Sequence, residues 1–301
     1  MQEIVTVTYS KEKDLMVLQA YSLDRYICEP CIHWVLIEDN AMSPLEWYHI
    51  LSPHYTRHTL KLITNLLDTY QDLAQRWGWF RQQFLKMEIA NLISNDTYLI
   101  LDAKNVFIKP YSIANILPAE GTFNIQDKRD DNGVYAPSNN LAWHQFIRGI
   151  CELTGWQKTL PLYAPITPFR VNTQVMKQLL TPAIRNYIIH SLSTNGTFSE
   201  FVLYSLFNLN CRDLTPQPTS DVGQGSIWYP MQYFHRKLTI DILKEEYFDF
   251  CNGGNMIMFT THLRAWNDWE TANIVYRFLL GLGFEKSILT PCVLISQQDN
   301  S

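Results

Sequence analysis

Residues 96–102 read Asp-Thr-Tyr-Leu-Ile-Leu-Asp, an apolar run closed by a carboxylate and followed by Ala103-Lys104-Asn105. Such a run is expected to be a buried strand that delivers Asp102 to its carboxyl end. A carboxylate at that place can hold a divalent metal, act as a nucleophile, or orient a neighbouring cation. Asp102 and Lys104 project to one side if the extended conformation persists, because strand side chains alternate with period two. Upstream, Gln82, Gln83 and Lys86 occupy neighbouring positions of one helix face. Far downstream, Glu200 opens an expected helix at Phe201–Leu209, with Ser199 as a candidate N-cap. Glu200 has two readings there: complement to the helix dipole, or a base that takes the proton of a hydroxyl. Arg264 follows His262 by two residues and would share its side of an extended segment, adding a fixed positive charge for phosphate oxygens.

The elements that must position these groups follow from periodicity. Glu3–Thr8 is expected to be a first strand, 14–26 a helix, and Ile32–Ile37 a second strand ended by Glu38-Asp39-Asn40. Residues 80–93 have helical periodicity, with Phe84, Leu85, Ile89, Leu92 and Ile93 facing inward, and lead into the strand that ends at Asp102. Short β-branched runs alternating with helical patterns mark an α/β class with a mainly parallel sheet. In such sheets ligands sit beyond the carboxyl ends of the strands. Those ends carry Thr8, Tyr9, Asp39 and Asp102, so the first half reads as a nucleotide-binding unit. Asp39 would accept hydrogen bonds from a base or ribose, with Thr8 and Tyr9 closing the other side.

Two polar stretches, 119–140 and 212–226, read as loops suited to a lid or to acceptor binding. The unalternating run Met256–Phe259 suits a strand buried on both faces, and the pattern from Trp269 to Leu280 a helix stopped by Gly281 and Gly283.

Composition narrows the class. The 301 residues are 47% hydrophobic and 18% charged, enough for one large domain or two tightly joined halves. The 9 Trp, 16 Tyr and 15 Phe exceed a minimal core and suit a concave site where sugars or bases stack. A formal charge of −5 argues against a nucleic-acid partner, whose affinity would rest on clustered Lys and Arg. The expectation is a cytosolic protein with no transmembrane segment, leaving room for peripheral membrane contact. Six scattered cysteines give no disulfide framework, and Cys28-x-x-Cys31 lacks the second pair of a zinc site, so the thiols are expected to be buried.

The segments Gln83–Ala90, Tyr98–Pro110, Thr167–Val171, Ser199–Tyr204 and His262–Trp266, taken in order, resemble a family of poorly characterised bacterial proteins grouped with nucleotide-sugar glycosyltransferases of the GT-A fold. The resemblance implies a Rossmann-like mixed, mainly parallel sheet flanked by helices in a single large domain, residues 1–301. Residues 1–110 would be the nucleotide-binding half, and 111–301 an acceptor-binding half whose end returns to the donor site. It implies transfer of a sugar from a nucleotide-activated donor to a glycan or other hydroxyl acceptor, as in polysaccharide assembly. Gln83, Lys86, Lys104 and Arg264 would then meet the nucleotide or its phosphates, and Glu200 is the first choice for the base. The late histidine, His262, would return to the metal or diphosphate.

The chain departs from that family in one place. The usual strand end is Asp-x-Asp, the metal and diphosphate signature; here the second acid is Lys104. Losing a carboxylate and gaining a cation weakens binding of Mn2+ or Mg2+ at Asp102 and His262, and lets Lys104 approach the diphosphate itself. Two alternatives remain. One is a non-catalytic nucleotide- or glycan-binding module of the same fold; the other is a phosphohydrolase with Asp102 as nucleophile, a class that expects an acid at position 104.

Overall fold

Parallel pairing brings the carboxyl ends of the early strands to one edge. In the computed structural model the described residues are 1–64, 66, 78–116, 122–126, 137–159, 167–193, 199–219, 223–227, 239–241, 256–261, 263–266 and 268–298. In chain order the described strands are β1 (Gln2–Thr8), β2 (Cys31–Ile37), β3 (Thr59–Ile63), β4 (Thr97–Asp102), β5 (Asn105–Phe107), β6 (Thr122–Gln126), β7 (Phe169–Asn172), β8 (Thr215–Thr219), β9 (Gly223–Ile227) and β10 (Met256–Thr261). The main sheet runs β3-β2-β1-β4-β7, parallel except for the antiparallel edge strand β7. Its register sets Thr8 against Ile37 and Val7 against Asp102, so the residues that follow β1 and β2 rise beside Asp102.

The period-two alternation of β4 sorts its side chains. Tyr98 and Ile100 join Val5, Val7, Trp34, Leu36, Phe169 and Val171 in the larger core. Helices Gly78–Glu88 and Glu200–Cys211 cover that face with Phe84, Leu85, Met87, Phe201, Val202 and Leu203. Phe169 stacks on Phe201 with ring centroids 4.3 Å apart. Burying each such ring is worth roughly 1.5–3 kcal/mol, so this contact anchors the start of the second helix against the sheet. Leu99 and Leu101 point the other way, into a core with Ile4, Leu23, Phe107 and Met258. By the same parity Asp102 falls on the face of the two covering helices, where Lys86 and Glu200 wait.

Past Asp102 the chain leaves the extended conformation. Residues 103–104 form a turn, and β5 pairs antiparallel with β10 in a second sheet ordered β5-β10-β9. The expected extension of β4 through Lys104 is therefore corrected. β10 is buried on both faces as its lack of alternation implied: Met258 joins the Leu99 core and Phe259 a third cluster with Trp266, Phe278 and Phe284. The following helix, Trp269–Gly281, ends near Gly283, whose φ of +83° suits a residue without a Cβ.

Three further expectations change. The polar stretch 119–140 contains β6 and the start of helix Pro137–Thr154, and 212–226 contains β8 and most of β9. β6 and β8 form a two-stranded parallel sheet in which Pro216 and Pro218 stand opposite Phe123 and Ile125, two residues apart and so on the same side of the strand. Turn-rich composition thus concealed paired strands. Arg264 lies in the short helix Leu263–Trp266, so alternation does not place it beside His262. Cys28 is exposed while Cys31 is buried, so the thiols are not uniformly interior. No helix among the described residues is long and apolar enough to cross a membrane.

Candidate functional site

Asp102 is gripped from two sides. Lys86 Nζ lies 2.7 Å from Oδ1, Lys104 Nζ lies 2.8 Å from Oδ2, and the Thr167 hydroxyl donates to Oδ2 at 2.9 Å. Lys86 also meets Glu200 Oε1 at 3.2 Å, making a chain Lys104–Asp102–Lys86–Glu200 of alternating charge. The chain is layered. The Lys86 and Glu200 side chains are 6% and 5% exposed, whereas those of Asp102 and Lys104 are 21% and 17% exposed, so the last two are the ones that reach solvent.

Each ionisation state follows from this packing. Burial opposes charge on Lys86, but Asp102 and Glu200 outweigh it and hold its pKa above the ordinary lysine value. Burial likewise raises Asp102, yet Lys104 and Lys86 outweigh it and hold the carboxyl well below the usual range. Glu200 is raised by burial, with Lys86 pulling down and Asp102 pushing up. Lys86 is held in place as well as paired: the Tyr98 hydroxyl donates to its backbone carbonyl at 3.1 Å. Gln83, one turn earlier, accepts from the Glu200 backbone N–H at 3.3 Å, satisfying a donor at that helix's N-terminus. Ser199 occupies the N-cap position without a side-chain capping bond.

A second group lines the ends of β1 and β2. The Ser10 backbone N–H and hydroxyl donate to Asp39 Oδ2 at 3.0 and 2.6 Å, and the Thr8 hydroxyl lies 3.4 Å from Glu12 Oε2. Asp39 Oδ1 is buried with no hydrogen-bond partner among the described residues. Burial lifts Glu12 to about 7, with Lys104 opposing and Asp102 and Glu38 adding to the rise. Burial also lifts Glu38 to about 7 against the pull of Arg81, 3.5 Å away. Tyr9 follows Thr8 in extended backbone just before the helical turn Ser10–Glu12.

The fold thus joins Asp102, Lys104, Lys86, Glu200 and Gln83, and puts Thr8, Tyr9 and Asp39 at the neighbouring strand ends. His262 and the side chain of Arg264 lie outside the described residues. Sequence reasoning missed Gln19, Thr167, Glu12, Glu38 and Arg81. Gln19 had a usable signal, a fully buried amide on a helix face otherwise carrying Leu15, Met16, Leu18 and Leu23. Thr167 had none, because its contact with Asp102 spans 65 residues.

The donor set around Asp102 does not fit a divalent metal. Such an ion needs several oxygens converging on one point, whereas here both carboxylate oxygens face ammonium groups. Among the described residues no three His, Cys, Asp or Glu side chains converge as a metal site would require.

Residues 14–215, two thirds of the chain, match the family of unknown function DUF6492. The chain belongs to that family. No curated protein matches this DUF6492 member in sequence. Among solved structures it resembles the galactosyltransferase LgtC in complex with donor and acceptor sugar analogues, at a TM-score of 0.53 and 9% identity, covering 97% of this chain and 100% of that one. It also resembles the bifunctional glycosyltransferase WbbM in its apo form, at 0.51 and 10% identity, covering 91% of this chain. The match spans 49% of WbbM. At such identities the likeness shows the fold alone: this DUF6492 chain has the mixed, mainly parallel GT-A architecture in a single domain.

Proposed function

We propose that this chain is a glycosyltransferase that takes a sugar from a nucleotide-activated donor and passes it to a glycan or other hydroxyl acceptor without a divalent metal. The observation that carries this reading is partly exposed Lys104, paired with Asp102 at the carboxyl end of a central parallel strand. In such a transfer the bond from the anomeric carbon to the diphosphate oxygen breaks, negative charge grows on the leaving diphosphate, and the acceptor oxygen bonds to that carbon as its proton passes to the departing diphosphate or to solvent. Lys104 is placed to stabilise the growing charge, and an ammonium needs no proton transfer to do so. Lys86 supports it from beneath by keeping Asp102 ionised. Asp39, whose buried Oδ1 has no partner among the described residues, suits a ribose or base contact in a nucleotide-binding half of residues 1–110, with the acceptor held by 111–301.

Glu200 fits a buried counter-ion to Lys86 better than the general base of an inverting transfer, because a base must reach the acceptor hydroxyl and this carboxylate is buried against an ammonium. The test is a panel of nucleotide sugars, with release of nucleoside diphosphate measured in EDTA and in added Mn2+ or Mg2+. Release that persists in EDTA supports the proposal; activity lost in chelator and restored by metal overturns its metal-free part. The engagement of both Asp102 oxygens favours a second reading, a binding module without turnover. Nucleotide binding with no hydrolysis or transfer across the panel would establish it.

A further inference from the structure

The turn that carries Lys104 is held by two buried amide side chains, one from outside the turn and one from within it. Gln19, from helix Lys13–Tyr26, is fully buried and lies behind the turn. Its Nε2 donates to the backbone carbonyls of Asp102 at 2.7 Å and Asn105 at 3.1 Å, spanning the two ends of the turn. Asn105 closes the turn from inside: its Oδ1 accepts from the Asp102 N–H at 2.7 Å, and its Nδ2 donates to the Thr260 hydroxyl at 2.9 Å. The Thr261 N–H donates to the Lys104 carbonyl at 3.1 Å.

The protons of this network have one consistent arrangement. Two carbonyl acceptors face the Gln19 amide, so the NH2 must point at them, and Oε1 is left to accept from the Thr6 hydroxyl at 2.9 Å. Thr6 has spent its proton, so His33 Nε2, 2.9 Å away, must donate to it. His33 Nδ1 is then bare and accepts from the Tyr55 hydroxyl at 2.6 Å. Thr6, Gln19 and His33 are all fully buried, which makes each bond costly to leave unmade. The result is a one-directional chain, Tyr55 to His33 to Thr6 to Gln19, ending on the turn that presents Asp102 and Lys104.

We infer that Gln19 is a positioning residue: through the Tyr55–His33–Thr6 chain it fixes the Asp102–Asn105 turn so that Lys104 stays on the Asp102 carboxylate, facing the donor diphosphate. The last clause rests on the proposed function; the positioning itself does not. Gln19 meets the turn only at its backbone carbonyls, so its effect passes through the side chains the turn carries, Lys104 above all. The Ala103 side chain packs in the core, and the Lys104 carbonyl is the one Thr261 serves.

Two measurements on the full chain separate the parts. The first is acylation of lysines by an amine-selective reagent, read peptide by peptide by mass spectrometry, with half-exposed Lys158 as internal standard. Gln19→Met keeps length and bulk but removes both donors and the acceptor. It is expected to speed Lys104 labelling several-fold relative to Lys158. Thr6→Val leaves the Gln19 donors in place and removes only the hydroxyl behind them, so it is expected to give a smaller increase and guards against a Gln19→Met variant that fails to fold. Lys104 labelling unchanged in whichever variants fold overturns the inference.

The second measurement is calorimetric binding of UDP, GDP, ADP, CDP and dTDP to wild type, Gln19→Met, Lys104→Met and the double variant. If Gln19 acts through Lys104, its substitution weakens binding by roughly tenfold in wild type and adds almost nothing once Lys104 is gone. Additive losses overturn the proposed route. Faster Lys104 labelling in a protein whose wild type binds none of the five diphosphates leaves the positioning role standing and removes the donor reading.

Discussion

Lys86 Nζ bridges Asp102 Oδ1 at 2.7 Å and Glu200 Oε1 at 3.2 Å, joining residues from a strand end and from two separate helices at one buried ammonium. One cation between two carboxylates leaves Lys104 as the outer partner of Asp102, and the cluster of four groups is formally neutral. Of the two ammonium groups Lys104 is the more exposed, so under the proposed function it is the one an incoming diphosphate would meet, while Lys86 holds the inner pair.

Removing the inner cation should cost more stability than removing the outer one. Lys86→Met leaves Glu200 and part of Asp102 buried without a counter-charge, a loss expected to reach about 3–5 kcal/mol. Lys104 is more exposed, and Lys104→Met is expected to cost roughly 1 kcal/mol or less. Urea unfolding of the two variants beside wild type checks the order, and Lys86→Met combined with Glu200→Gln should recover part of the loss.

Glu200→Gln decides between counter-ion and base. Losing a general base typically slows turnover by about 10²–10⁴-fold, with donor affinity kept. A buried counter-ion instead shows as a lower unfolding free energy and a decrease in turnover below roughly 10²-fold. Initial rates and Tm measured on the same preparation distinguish the two patterns.

Glu38 gives a pH signature. Its folded pKa of about 7 stands above the ordinary value of 4.5, so between these the folded chain binds more protons than the unfolded one. Its contribution to stability is then fully present below about 4.5 and lost as pH rises through 7. Glu38→Gln cannot ionise, so its Tm relative to wild type is expected to climb from pH 5 to pH 8. A difference that stays flat over that range would show that Glu38 titrates normally.

Gly78 sets where the Glu38 carboxylate can sit. A Cβ there would stand 2.4 Å from Glu38 Oε1, so Gly78→Ala must push the carboxylate away from its place beside Arg81. The atom displaced is the end of a flexible side chain, so the expected net cost is small, about 1 kcal/mol or less, and because Glu38 changes its surroundings, the pH dependence just described should change in the Gly78→Ala background. Thermal melts of the alanine variant across the same pH range provide the check.

Much of the scaffold was legible from residue order alone. Apolar runs and β-branched residues located β1, β2, β4 and β10 because burial on a sheet demands them locally, and the Asp102 position followed from where its run stops. The Lys86 and Glu200 helices were legible from their periodicity for the same reason. Prolines and glycines concealed β8 and β9, since pairing across some 90 residues, as in Phe123 with Pro216, leaves no local pattern.

The site was legible as a list of residue types and not as a geometry. Sequence determined that Asp102, Lys86, Lys104 and Glu200 exist and that a lysine stands two residues beyond Asp102. Tertiary structure decided that Lys104 returns to Asp102 through a turn, that Thr167 completes the carboxylate's partners, and that Glu200 lies beneath Lys86. It also decided that Gln19 reaches across to the turn that holds Lys104. The physical reason is range: strand and helix periodicity arise from neighbours a few residues apart, whereas a charge network is set by side chains meeting across 65 or 114 positions of chain, where only packing fixes which atoms touch.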